Sequence, residues 1–490
     1  MKTESPVSMI HPDSRPAAMA RPLLAALLIG TALLGGCVPV PPDQPALKPA
    51  DAQTMGLTAG AVPITPDWWQ SLNDPQMNRI MTDALAGNPG LEQALARMAL
   101  AQNAIAYTKG ARLPHATADA SATEERFSNR SIYPAPLGGS WNSLNSIEAD
   151  LSWSLDLGGR QKALIGIARN FAQGSALDLA AARVSLSGAV AGAYVNMARA
   201  EALIALSRDF VTARQKQLDL TQARVKSQLA SQLDIAAAQT LLAEAQQSQT
   251  RAEGQRVIAI HALAALAGRG ADYYATIQPA AVQFDTALPV PEALPLDLLS
   301  RRADIASARV NVEMAQGGVK VSRAGFYPDV SLRAFVGAGS LGLSHLLSTE
   351  ALTGGFGPAV HLPIFQGGQL KASYQASVTG VDIATARYND AVTKAVKEAA
   401  DALSSIDTNR ADAADQGRVV AGLEQTQRLD AVRLKSGLGT RFDTLSSAQR
   451  LLSARQNQTA LAADGLLARV QLIVALGGGF TPLADAAPAP

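Results

Sequence analysis

From Ile147 to Leu157 the chain alternates apolar and polar residues without a miss. Ile147, Ala149, Leu151, Trp153 and Leu155 fall on one side, and Glu148, Asp150, Ser152 and Ser154 on the other. Period two is the signature of a strand with one apolar face and one wet face. Three further segments share it. His115–Thr123 alternates with an apolar side made only of alanine. Val330, Leu332, Ala334 and Val336 line one side of a third segment, and Phe356, Val360, Leu362 and Ile364 one side of a fourth. The pattern predicts two strand pairs, at about 112–157 and about 326–365. The stretch Arg126–Trp141 between the first two is rich in Ser, Pro and Gly and reads as a long barrel loop.

Between these strands the pattern is helical, and it occurs twice. Gly158-Gly159-Arg160-Gln161-Lys162-Ala163 returns as Gly367-Gly368-Gln369-Leu370-Lys371-Ala372, and Arg224-Val225-Lys226-Ser227-Gln228-Leu229 returns as Arg433-Leu434-Lys435-Ser436-Gly437-Leu438. Both offsets are 209 residues (433 − 224), and the two landmarks stay 66 residues apart (224 − 158) in each copy. A loop drifts in length. A continuous helix cannot, because one added residue turns every later side chain by about 100°. Proline breaks helix interiors, and none occurs between Leu137 and Gln278 or between Ile364 and Thr481. Each half therefore predicts one helix of roughly 70 residues, about 105 Å long at 1.5 Å per residue. A partner helix returns from Asp234 to Leu266, and from Asp443 to Leu476. Asp234 and Asp443 sit where an N-cap or first-turn carboxylate satisfies free backbone N–H groups and the helix dipole.

Composition agrees with thin helices rather than a thick core. Aromatic residues are 4% and charged residues 17% of 490, against about 25% charged in ordinary domains. The 42 Lys and Arg balance 41 Asp and Glu, so nothing electrostatic points to nucleic acid. Ala180-Ala181-Ala182 and Ala236-Ala237-Ala238 permit close helix approach. Such helices cannot be covered by one chain, and neighbouring subunits are expected to cover them.

At the N-terminus, Arg15 and Arg21 precede the apolar run Leu23–Leu34 and then Gly35-Gly36-Cys37. That is a secretory signal, too short to span a membrane. Met1, Met9 and Met19 are alternative starts. Cys37 is the single cysteine, which excludes internal disulfides and cysteine zinc sites. Leu34-Gly35-Gly36-Cys37 resembles the bacterial lipobox, in which the cysteine is lipidated after cleavage. No other cofactor and no metal are expected. The chain carries no Gly-x-Ser-x-Gly, no Gly-Lys phosphate loop and no His-Glu-x-x-His, and its five histidines are scattered, so no catalytic residue is assigned.

Strands of about 9–11 residues cross a bilayer when tilted. Open edges leave backbone groups unpaired in lipid, so the strands must close. Four strands close no useful barrel, whereas three chains supply twelve. Leu151, Trp153 and Leu155 then face lipid, and Asp150, Ser152 and Ser154 the barrel lumen.

These parts together resemble the TolC-like outer membrane factors of tripartite efflux systems, in their lipoprotein branch, over about residues 66–480. Trp68-Trp69-Gln70-Ser71-Leu72-Asn73-Asp74-Pro75-Gln76-Met77 is similar to that family's opening helix, as is Ala84–Leu91. Leu151–Arg160 is similar to its strand-to-helix crossing, and Leu298-Leu299-Ser300-Arg301-Arg302-Ala303-Asp304-Ile305 to the start of its second repeat. The family usually has proline where Ala303 stands and often glycine where Gln228 stands. The resemblance implies an α+β membrane protein: a trimeric 12-stranded outer-membrane β-barrel, four strands per chain, continued by a long periplasmic α-helical barrel, with an internal duplication. It implies a homotrimer in outer membrane lipid that serves as a passive exit duct for drugs or other small molecules, joined by a periplasmic adaptor protein to an inner-membrane pump. It also implies a closed iris at the helical turns, which carry Arg224, Lys226 and Asp234 in the first copy and Arg433, Lys435, Arg441 and Asp443 in the second. A structural or adaptor-like coiled-coil periplasmic lipoprotein is the competing reading; duplicated transmembrane-type strand pairs do not fit it. The expected organisation is a signal peptide (1–36), a lipidated linker (37–66), a first repeat (67–268, with its helical hairpin at about 159–268), an equatorial linker (269–297), a second repeat (298–480, hairpin about 367–477) and a tail (481–490).

Overall fold

The computed structural model describes residues 40–42, 44–50, 64–130, 132–288, 290–291 and 300–481. The signal segment, Cys37 and the tail after Thr481 lie outside the described residues, as does part of the equatorial linker. In chain order the elements are α1 (Pro75–Gly87), α2 (Pro89–Gly110), β1 (His115–Arg126), β2 (Trp141–Ser154), α3 (Arg160–Lys226), α4 (Gln232–Leu266), α5 (Ala303–Ala324), β3 (Asp329–Leu341), β4 (Leu352–His361), α6 (Gln369–Lys435) and α7 (Arg441–Ala475). The duplication is exact in length: α3 and α6 have 67 residues each, and α4 and α7 have 35 each. All four boundaries repeat at the 209-residue offset (369 − 160).

Two compact units divide the chain. One comprises residues 1–45, 106–167 and 315–380, the other 46–105, 168–314 and 381–490. The first unit holds a single antiparallel sheet in the order β1-β2-β3-β4. Both outer strands, β1 and β4, have an unpaired edge. Its helical part packs Phe326 against Tyr374 and Val378, with Val40 and Leu370 beside them.

The strands differ in extent from the sequence expectation. β1 runs on to Arg126 and β2 begins at Trp141, where Trp141-Asn142-Ser143-Leu144-Asn145-Ser146 shows no clean alternation. Leu155, expected on the strand's apolar face, lies one residue past β2, held by its N–H on the Val330 carbonyl at 2.9 Å. Leu362 and Ile364 lie beyond the end of β4. Past His361 the apolar spacing continues while the partner strand β3 has ended at Asp329, and pairing defines the strand.

The second unit carries the main core. Trp68, Met77, Ile80, Met81, Val190, Tyr194, Leu263, Leu466 and Ile473 are buried together. Asp74 caps α1, accepting from the Gln76 and Met77 N–H groups. Its other oxygen accepts from Tyr194 Oη at 2.7 Å and from the Ala281 N–H at 2.8 Å. Burial, then the Asp74 carboxylate, push the Tyr194 hydroxyl well above its ordinary pKa. Gln76 and Gln278 exchange two hydrogen bonds of 2.7 Å. These bonds tie residues 278–281 down without a regular element. Each hairpin has its own apolar cluster as well: Leu218, Ala238 and Leu242 join α3 to α4, and Val420, Leu451 and Ala454 join α6 to α7.

Candidate channel wall and hairpin tips

Cross-strand pairs assign every side chain of the sheet to a face. Leu151 pairs with Ala116 and Ala334, Ala149 with Ala118 and Val336, and Trp153 with Leu332. Ala334 pairs with Phe356, and Val330 with Val360. One face is thus apolar over all four strands, and much of it is open: Phe356 is 93% exposed, Val360 64% and Val336 62%. From Val330 to Ala338 this band runs about 27 Å along the strand, or about 19 Å along a barrel axis at 45° tilt, the order of the hydrocarbon band of membrane barrels. It ends at Asn145, whose amide folds back onto Ser143 Oγ at 3.1 Å. Trp153 closes the other end, donating from Nε1 to the Arg112 carbonyl at 3.0 Å. Large apolar area on an open face marks a surface for lipid or another chain.

The opposite face is polar and holds Asp150, Ser152 and Ser154. Asp150 lies across from Thr117 and Phe335, Ser152 from His115 and Arg333, and Ser154 from Ser331. Ser154 Oγ donates to Asp329 Oδ1 at 3.3 Å. Glu148 shares this face, as its alternation predicts, and the register adds what the sequence did not show, that Asp119 stands directly opposite it. Like charges across a strand pair repel, and water relieves that cost where an apolar surrounding does not. Phe335 also shares this face. Its ring leans over Gly355, where a Cβ would come within 2.9 Å of Phe335 Cε1.

The hairpin tips are built alike. α3 ends in a Schellman turn: the Gln228 N–H donates to the Val225 carbonyl at 3.0 Å, and the Leu229 N–H to the Arg224 carbonyl at 2.8 Å. α6 ends the same way through Gly437 and Leu438. Arg224 and Lys226, and Arg433 and Lys435, occupy the last turns of these helices, where the helix dipole favours cations. Ser231 and Thr440 are the N-caps of α4 and α7, and Asp234 and Asp443 complete a capping box in each. Hydrogen bonds from the Ser231 backbone and hydroxyl, helped by Arg441 and Arg224, hold Asp234 below the ordinary carboxylate pKa. Thr440 does the same for Asp443, with Arg433 behind it.

Of the seven tip charges, the structure brings Arg224, Asp234 and Arg441 together. Burial, then the facing Arg224, lower the Arg441 pKa against the pull of Asp234. Arg224 Nε and Arg441 Nη1 are buried without a hydrogen-bond partner. Asp443 instead keeps to its own turn, and Arg433 Nη2 donates to the Leu438 carbonyl at 3.3 Å. Apolar side chains were not foreseen here: Leu229 and Leu233, and their repeat equivalents Leu438 and Phe442, are 68–79% exposed. No group of three or more His, Cys, Asp or Glu is placed to hold a metal among the described residues.

A two-faced sheet with open edges, duplicated hairpins of equal length and bare apolar tips define an outer-membrane channel subunit. The fold class is α+β, and three chains of four strands supply the twelve-stranded barrel. Two stretches, residues 80–269 and 294–478, match the family model for outer membrane efflux proteins, and the chain belongs to that family. The fusaric acid resistance protein FusA of Burkholderia cepacia is 29% identical over 489 residues, 93% of this chain and 88% of that protein. The probable efflux pump outer membrane protein TtgC of Pseudomonas putida is 28% identical over 93% of this chain and 96% of its own length. The outer membrane protein VceC of Vibrio cholerae superposes with a TM-score of 0.78 at 29% identity, over 85% of this chain and all of that one. The CmeC outer membrane channel of Campylobacter jejuni superposes at 0.81 with 20% identity, over 92% of this chain and 96% of that one, a likeness of fold. The protein is an efflux channel of the outer membrane, and the coiled-coil adaptor reading falls with the sheet. Its family is one of channels rather than enzymes.

Proposed function

We propose that this channel is the passive exit duct of a tripartite pump: a homotrimer that receives drugs or other small molecules from an inner-membrane pump through a periplasmic adaptor protein. The observation that carries this reading is the twin tip surface. Leu229 with Leu233 and Leu438 with Phe442 repeat the same apolar pair at the same turn positions, each flanked by basic side chains. Exposed apolar pairs on a soluble turn call for a protein partner. Arg224 and Arg441 repel each other across Asp234, and each keeps a buried nitrogen without a hydrogen bond, so this polar closure parts at small cost. Lys226, Arg433, Lys435 and Asp443 surround it. In the barrel, Asp150, Ser152 and Ser154 line the lumen beside Asp119 and Glu148.

The lipid on Cys37 belongs to the same reading. Val40 packs against the cluster of Phe326, three residues before β3, and Tyr374 of α6. Cys37 stands three residues before Val40 in the sequence, a reach of at most about 10 Å, which supports an anchor near the sheet.

The test is complementation. The chain, expressed with the adaptor and pump from its own genome in a strain lacking outer-membrane efflux channels, restores drug resistance, and paired Leu229→Asp and Leu438→Asp changes abolish it with the trimer intact. Resistance that survives both changes removes the tips from adaptor docking. Palmitate labelling lost in Cys37→Ser supports the anchor; labelling that persists discards it.

A further inference from the structure

Helices α3 and α7 run antiparallel, joined by polar pairs in one register. Arg199 Nη1 donates to Asp464 Oδ1 at 2.9 Å. Eight residues along α3, Ser207 Oγ meets Ser248 Oγ of α4 at 3.3 Å, and Gln456 Nε2 donates to the same Ser248 oxygen at 2.7 Å. Seven residues further, Arg214 Nη2 donates to Gln449 Oε1 at 3.3 Å. The numbers of Arg199 and Asp464, of Ser207 and Gln456, and of Arg214 and Gln449 each add to 663. The pairs are rungs of a single ladder between the first hairpin and the second.

The rungs are unequal. Arg199 and Asp464 carry opposite charges and keep some access to water. Arg214 is 5% exposed, and its bond to a neutral amide sits at the long end of the hydrogen-bond range. Its Nε is buried with no partner. Glu244 of α4 attracts it, without an ion pair, and burial still lowers its pKa. A guanidinium removed from water with an unspent donor costs free energy that separation of the helices returns. Within each hairpin an arginine finds a carboxylate: Arg256 of α4 donates to Glu201 of α3 at 2.8 Å, and Arg455 of α7 to Glu424 of α6 at 2.9 Å. Asn409 and Gln416 of α6 donate to the Leu461 and Ala454 carbonyls of α7 at 3.0 and 2.6 Å, beside the apolar cluster. The hairpins therefore hold together internally better than they hold to each other.

We propose that Arg214 is a strained rung that favours parting of α7 from α3, with the Arg199–Asp464 pair as the pivot that keeps register. The proposal rests on the reading that the duct opens at the tips. It sets a direction: the seam yields first on the tip side of Arg199, where Arg214 has a neutral partner and an unspent donor.

The experiment is thermal melting of the purified detergent trimer alongside its conductance in a planar bilayer. Gln449→Glu gives Arg214 a carboxylate, and Arg214→Met removes the buried charge while keeping an apolar stem. Both should raise the melting temperature by roughly 2 °C and lower conductance severalfold. Gln449→Met strips the remaining bond and should lower the melting temperature. An unchanged or lower melting temperature in both Gln449→Glu and Arg214→Met, with the trimer intact, overturns the proposal. Arg441→Ala tests the tip gate separately and should raise conductance. Melting shifts as expected with no conductance change in any variant, Arg441→Ala included, discard the tip gate and keep the strained rung. A rise with Arg441→Ala and no melting shifts does the reverse.

Discussion

Gln228 and Gly437 hold the same left-handed backbone, at φ 58° and 70°, in turns related by the internal duplication. Glycine adopts this conformation freely, whereas a residue with a Cβ carries strain of about 1–2 kcal/mol. The first turn keeps its shape despite its side chain because the Schellman bonds and the Ser231 cap fix it from both sides. Gln228→Gly should therefore tighten the first tip, and Gly437→Ala should loosen the second by about 1 kcal/mol. Amide exchange at residues 225–235 and 434–444 reads this directly, with protection rising in the first variant and falling in the second. Equal exchange in both would show that the turns carry no strain.

The two capping boxes make the tips acid-sensitive. Asp234 and Asp443 are held below their ordinary pKa of 3.8 by bonds they accept only in the folded turn. A depressed carboxylate contributes stability above its unfolded pKa and loses it as pH falls through the folded value. Fraying of the first turns of α4 and α7 should therefore set in below about pH 4. Asp234→Asn with Asp443→Asn should show the same fraying at neutral pH and a flat profile down to pH 3. Thr440→Ala should cost about 1 kcal/mol at neutral pH through its lost cap, and less below pH 4, where Asp443 no longer gains from the Thr440 hydroxyl. Pulsed amide exchange across the pH series is the check.

On the sheet, a charge at the apolar band should be costly and one on the other face tolerated. Leu151→Arg places a cation in the band at about 2–4 kcal/mol near a bilayer midplane and should deplete folded trimer. The register sets the control: Ser152 faces Arg333, so Ser152→Glu gains an opposite charge and should assemble normally. Heat-modifiable migration in detergent extracts measures both. Equal assembly of the two variants would contradict the assignment of faces.

Arg302 joins three segments of the second unit. Its Nη1 donates to Glu398 at 2.8 Å and to the Ala475 carbonyl at 3.0 Å, and its Nη2 to Asp304 at 2.7 Å. Burial alone would raise the Asp304 pKa, but the Arg302 bonds more than offset it and hold the carboxyl low. Arg302→Met should cost about 1.5–3 kcal/mol, and Arg302→Lys little less, since one ammonium cannot serve a fork of three acceptors. Melting of the detergent trimer distinguishes these from a surface arginine such as Arg418, whose loss should be neutral.

Periodicity reads what is local. The constant spacing of Gly158 and Arg224 forces a continuous helix, and Ile147–Ser154 cannot be amphipathic in any other form. The outer half of β2 was illegible because its residues Ser143 and Asn145 share no polarity pattern with Ile147; β1 and β3 on either side decide its extension. The opposition of Asp119 and Glu148 exists only once the register is known. The Arg199–Asp464 rung links residues 265 apart, a distance at which no spacing rule reaches. The capping boxes lay nearer the surface of the sequence: Ser231 and Thr440 stand three residues before the two aspartates, the interval that the motif requires.

Equal helices make length itself a constraint on this molecule. Sixty-seven residues followed by thirty-five occur twice, so both turns lie at the same count from the starts of their long helices. Loss of one residue from α3 alone would withdraw one tip by about 1.5 Å and rotate all that follows by about 100°. Only whole steps of about seven or eleven residues restore the facing sides, and a step in α3 needs its match in α4, α6 and α7. Such a protein can change its residues one at a time, but its helix lengths only in matched steps.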